Sequence, residues 1–144
     1  MEYAGFIAVA SGLAAQATKV VVEVVRRRQW RPSLIVASGG MPSSHTATVT
    51  TLSFLVGHQE GPASSVFSLV LVFSLYVVFE ATGLRQEVGK QAELINDLVD
   101  EILAGRSPDQ RRLKELVGHT WQEVLAGFAF GALMAQVVIR TTGG

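Results

Sequence analysis

The sequence predicts an all-α fold: an integral membrane bundle of about four transmembrane helices, with one further amphipathic helix at its cytoplasmic end. Three observations lead there. Of 144 residues, 49% are hydrophobic, high for a water-exposed domain of this size. The charged residues are crowded into a few stretches, and long uncharged runs lie between them. Those runs approach the roughly 20 residues that a helix needs to cross a bilayer core. The length suits one domain, residues 1–144. A soluble helical bundle is the alternative.

The first helix is expected over Tyr3–Thr18, uncharged and rich in Ala, Gly and Val, with Lys19 near its end. It lacks the basic flank of a signal peptide and is read as retained. The second is expected within SSHTATVTTLSFLVG, the apolar half of a stretch from Pro32 to Gln59 without Lys, Arg, Asp or Glu. The third, Gly61–Phe79, is the strongest span, with no charged residue. The fourth is Val124–Ile139. Helices rich in small residues suit close packing inside a bundle. Gly127-x-x-x-Gly131 is such a pattern, read as helix packing and as the contact of a homodimer.

Between the third and fourth spans, Val88, Ala92, Ile95, Leu98, Val99, Ile102 and Leu103 recur at helical spacing, while Glu93, Asp97, Asp100 and Glu101 take much of the remainder. This predicts an amphipathic helix stopping near Gly105, before the turn-like Ser107-Pro108-Asp109. It is expected along the membrane surface or over the end of the bundle.

Loop charges orient the bundle. The first connection carries Arg26, Arg27, Arg28 and Arg31; the third carries Arg85, Lys90, Arg106, Arg111, Arg112 and Lys114; the second carries no Lys or Arg. The first and third therefore face the cytoplasm and both termini lie opposite. Twelve basic residues balance twelve acidic ones, so nothing draws the chain to nucleic acid. Without cysteine, thiolate metal sites and disulfides are excluded.

That topology gathers the reactive groups at one end: Lys19, Pro42-Ser43-Ser44-His45, Arg85, Lys90, His119 and Glu123. Gly39 and Gly40 free the backbone to turn and to approach a ligand. Ser43 or Ser44 either caps the next helix or joins an oxyanion site at its start. Thr120-x-x-Glu123 has the form of a capping box; the other reading has Glu123 hold one ring nitrogen of His119 and leave the other free as a nucleophile. His58 falls in the opposite loop.

The stretches MPSSHTATVTTL and GHTWQEVLAG, with ATGLRQEVGKQAELIN and LKELVGHT, resemble the divergent type-2 phosphatidic acid phosphatase family (YuiD-like), membrane proteins related to acid phosphatases and vanadium-dependent haloperoxidases. Pro42-Ser43-Ser44-His45 is similar to that superfamily's Pro-Ser-Gly-His motif, with Ser44 in place of glycine; His119 and Glu123 match the end of its third motif, with Glu for Asp. Lys19 resembles the lysine of the first motif. No Ser-Arg precedes His119 at the family spacing, and the resemblance implies that Arg85 supplies the missing guanidinium, with Lys90 near it.

The resemblance implies a metal-independent, cofactor-free histidine phosphatase acting on a phosphorylated lipid. Its catalytic residues would be His119, His45 and Glu123, and its phosphate ligands Lys19, Ser43, Ser44, Arg85 and Lys90. The expected location is the bacterial inner membrane, with the site facing the cytoplasm. The alternative is an inactive membrane protein that binds anionic lipid or phosphate in the same pocket.

Overall fold

The computed structural model describes residues 3–28, 40–102 and 120–142. These form five helices: α1 (Ala4–Arg27), α2 (Ser44–Glu60), α3 (Ser65–Thr82), α4 (Leu84–Ile102) and α5 (Trp121–Thr142). The expected Gly39, the stop at Gly105, the 107–109 turn and His119 lie outside the described residues.

Helix α2 occupies the centre. It packs most extensively on α1 and α5 and also on α3; the outer helices touch one another much less. Three sides of α2 meet three neighbours. Gly12 of α1 lies against Ser44 and Thr48, and Thr51 hydrogen-bonds with Ser11. On α5, Gly127 lies against Ser43 and Thr46, and Gly131 against Ala47 and Thr50. On α3, Ser74 bonds with Ser53, and the ring of Phe67 lies against Gly57.

These contacts explain the second helix's weak apolar signal. Ser43, Thr46, Thr50 and Thr51 are buried, whereas the largest apolar side chains point outward: Phe6 is 77% exposed, Phe79 75% and Leu125 64%. Hydroxyls inside and large hydrophobes outside is the arrangement of a bundle that packs through small residues while lipid covers its exterior. In water so large an apolar surface would drive aggregation. Helices α1 and α5 are each long and apolar enough to cross a membrane, and so is α3 within a run that continues through α4 to Val99. The 17-residue α2 reaches about 26 Å at 1.5 Å per residue and is sheltered by the other three. The chain is an all-α membrane bundle.

The close packing predicted for Gly127-x-x-x-Gly131 is realised inside the chain. A Cβ on Gly127 would stand 2.6 Å from the Ser43 carbonyl oxygen, and one on Gly131 would stand 2.6 Å from that of Ala47. A homodimer contact through these glycines would compete with α2 for the same face.

Thr51 Oγ1 links Ser11 Oγ at 2.8 Å to the Gly131 carbonyl at 3.0 Å, tying α1, α2 and α5 at mid-bundle. Interhelical hydrogen bonds of this kind contribute roughly 0.6 kcal/mol on average, up to about 1.7. Thr51→Val, which keeps the shape and removes the hydroxyl, is expected to lower the unfolding temperature in detergent by a few degrees, measured by Trp121 fluorescence.

Helix α4 follows α3 after the single residue Gly83. The Gly83 N–H donates to Phe79 O at 2.8 Å, and its carbonyl accepts from the Glu87 N–H at 3.2 Å, so hydrogen bonding runs through the junction. The helix is amphipathic as predicted, and its apolar stripe faces away from the bundle. Gly89, Ala92 and Asn96 are buried, while Val88, Ile95, Leu98 and Ile102 are exposed.

Candidate functional site

The site forms where α2 begins. Gly40 adopts φ +92°, which glycine takes without a Cβ penalty, and the Met41–Pro42 peptide is cis. Ser43 then caps α2: its Oγ accepts from the Thr46 N–H at 3.3 Å and from the Thr46 hydroxyl at 3.1 Å. The capping reading of Ser43 is therefore realised, with the side chain only 1% exposed. Ser44 is half-buried and His45 exposed, both in the first turn of α2.

The start of α5 meets this loop through Glu123. Its capping box is formed: the Glu123 N–H donates to Thr120 Oγ1 at 3.3 Å, and the Thr120 N–H donates to Glu123 Oε2 at 3.1 Å. Glu123 does more than cap. Its Oε1 accepts from the Gly40 N–H at 2.6 Å, and its carbonyl accepts from the Ser43 N–H at 3.1 Å. One residue thus ties the loop before α2 to the first turn of α5 by both side chain and backbone.

Lys19 completes the corner from α1. It is 7% exposed, and its stem lies along Gly40, where an added Cβ would come within 3.0 Å of Lys19 Cδ. Lys19 interacts electrostatically with Glu123. It therefore turns inward and does not lie along the outer surface of the bundle as a snorkelling lysine would.

The α2–α3 register brings the start of α4 to this end. The contacts Gly57–Phe67 and then Ser53–Ser74 run antiparallel, so the end of α3 lies beside the start of α2. Arg85 falls in the first turn of α4, directly after that end. Lys90 lies one turn further and pairs with Glu87 at 2.6 Å, each side chain 61% exposed.

Of the predicted site residues, the structure brings together Lys19, Ser43, Ser44 and Glu123, with His45 beside them and the backbone of Arg85 at the same end. It shows Lys90 paired on the exposed side of α4. Sequence reasoning left Gly40 out of the site, although the Gly-Gly pair ahead of Met-Pro signalled a turn. The Gly40–Glu123 bond spans 83 residues of sequence and leaves no local trace. Among the described residues, no group of three or more His, Cys, Asp or Glu side chains is placed to hold a metal ion.

Chemically, such a corner suits an oxyanion. It offers helix-start amides, a glycine loop and a buried ammonium. The exposed His45 stands beside them in the first turn of α2.

Comparison with known proteins agrees with the membrane assignment. A curated relative from Bacillus subtilis strain 168, the membrane protein YuiD, described as uncharacterized, is 38% identical over 135 residues, covering 86% of this chain and 85% of that protein. No solved structure matches the chain. Residues 3–134 match the family described as Divergent PAP2, and with almost the whole bundle inside that match the chain belongs to the Divergent PAP2 family.

Proposed function

We propose that this protein is a membrane phosphatase that hydrolyses a lipid phosphate monoester, or a pyrophosphate, at the cytoplasmic face of the bacterial inner membrane. The observation that carries the reading is the convergence of Lys19, the Gly40 loop, the α2 start bearing His45 and the α5 start bearing Glu123 at one end of a membrane bundle. Family membership supports phosphoryl chemistry at that end.

In this reading the His119 imidazole attacks phosphorus in line and forms a phosphohistidine. Glu123 accepts the other ring N–H and stabilises the imidazolium. His45 protonates the leaving alkoxide. Lys19, Arg85 and the Ser43–Ser44 helix start neutralise the phosphoryl oxygens, joined by Lys90 once it exchanges its Glu87 partner for the phosphate. Water then attacks the phosphohistidine, releasing inorganic phosphate and restoring His119. Because cations and amides carry the charge, turnover needs no metal. The apolar exterior keeps acyl chains in lipid while the head group meets the polar end.

The test is phosphate release by purified protein in detergent and EDTA, offered phosphatidate, phosphatidylglycerophosphate and polyprenyl phosphates. His119→Ala and His45→Ala are each expected to lower release by a factor of about 100 or more. Full activity in His119→Ala would remove the nucleophile from the scheme. A second reading, a protein that binds anionic lipid or phosphate without turnover, is favoured by the burial of the Ser43 hydroxyl in its cap. It predicts saturable phosphate binding with no release from any substrate.

A further inference from the structure

The donors at the site corner already hold an anion, and it belongs to the chain. The Gly40 N–H donates to Glu123 Oε1 at 2.6 Å, the Thr120 N–H donates to Glu123 Oε2 at 3.1 Å, and Lys19 interacts with the same carboxylate. Backbone N–H groups and an ammonium are also what a phosphoryl oxygen requires. The loop has a second tie that does not use the carboxylate, from the Ser43 N–H to the Glu123 carbonyl at 3.1 Å. Glu123 can therefore withdraw its side chain without releasing the loop from α5.

We propose that the Glu123 carboxylate is a resident occupant of the anion site: it holds the Gly40 N–H, beside the Lys19 stem, in the free protein, and the phosphoryl group of a substrate displaces it there. This rests on the reading that this end of the bundle binds a phosphoryl group. Glu123 is then a positioning residue with two states. Loaded on Gly40, it keeps the site closed to weak anions. A phosphate dianion carries more charge than the carboxylate and competes for the same donors. No covalent change accompanies the exchange; the Gly40 N–H passes from one oxyanion to another.

The test is a titration of inorganic phosphate into the full-length protein in detergent, followed by calorimetry, for the wild type, Glu123→Gln and Glu123→Ala. Removing the competing charge is expected to tighten binding by about tenfold in both variants. In the wild type, the amide resonance of Gly40 is expected to shift with the same saturation curve as phosphate binding, a readout independent of any variant's folding. Phosphate binding that leaves the Gly40 amide unmoved, or that is unchanged or weaker in both Glu123 variants while Lys19→Met abolishes it, overturns the resident-occupant mechanism and leaves the pocket intact. Absence of phosphate binding in the wild type and in both Glu123 variants overturns the pocket as well.

Discussion

Gly127→Leu is expected to force α5 away from the start of α2, lowering stability and removing phosphate release together. Even one methyl group has no room. A Cβ there would meet the Ser43 carbonyl oxygen at 2.6 Å, Thr46 Cβ at 2.9 Å and Ser43 Cβ at 3.1 Å. The nearest of these is backbone, which cannot rotate aside. Overpacking a close contact typically costs about 1–3 kcal/mol, and a leucine exceeds the methyl that already fails to fit. The functional loss should exceed the stability loss. Ser43 is both the α2 cap and the residue whose N–H is tied to Glu123, so a shift there misaligns the loop, the helix start and the α5 start at once. A misplacement of about 1 Å can reduce a rate by roughly 100-fold. Gly5→Ala is the control: nothing lies within 4 Å of a Cβ at that position, so it should leave activity unchanged and stability equal or slightly higher. Unfolding temperature in detergent and phosphate release measure both. A Gly127→Leu protein with normal values would mean that α2 and α5 do not pack as the structure has them.

How much of this was legible in the sequence depended on which surface each residue faces. Helices α1, α3 and α5 were readable because lipid-facing side chains must be apolar whatever else the helix does; Phe79 and Leu125 belong to that exterior. Helix α2 gave the weaker signal because its neighbours are the other helices. Thr46, Thr50 and Thr51 are hidden from lipid, so they need to be small, and Thr51 has its hydroxyl satisfied by Ser11 and Gly131. The Gly127-x-x-x-Gly131 spacing announced close packing without naming the partner, which the fold supplies as α2. The apolar stripe of α4 was readable, while its continuous run-on from α3 through Gly83 left no periodic signal. At the site, both caps were legible since each is local: Ser43 to Thr46, and Thr120 to Glu123. The bond from Gly40 to Glu123 was not, because periodicity and spacing carry no record of a contact between distant segments. His119, on which the nucleophile assignment rests, lies outside the described residues.

Lys19→Met is expected to reduce phosphate binding and release by about 100- to 1,000-fold, comparable to the loss of one preorganised oxyanion donor. Ionisable side chains within membrane-spanning helices are expensive and are retained where they act. Lys19 is such a residue, 7% exposed, turned toward Gly40 and Glu123. A stability effect is also expected, because methionine removes the ammonium that interacts electrostatically with the half-buried Glu123 carboxylate. The two effects separate in a double variant. Lys19→Met combined with Glu123→Gln removes both charges and keeps both shapes, so the unfolding temperature should return most of the way to the wild-type value. Release should not return, since the phosphoryl group still lacks its ammonium. Lys19→Arg should rescue poorly: the lysine stem already lies against Gly40, and the broader guanidinium has to pass the same glycine. Recovery of both stability and release in the double variant would make Lys19 a partner for Glu123 and nothing more. Recovery of stability alone makes it the cation that receives the substrate.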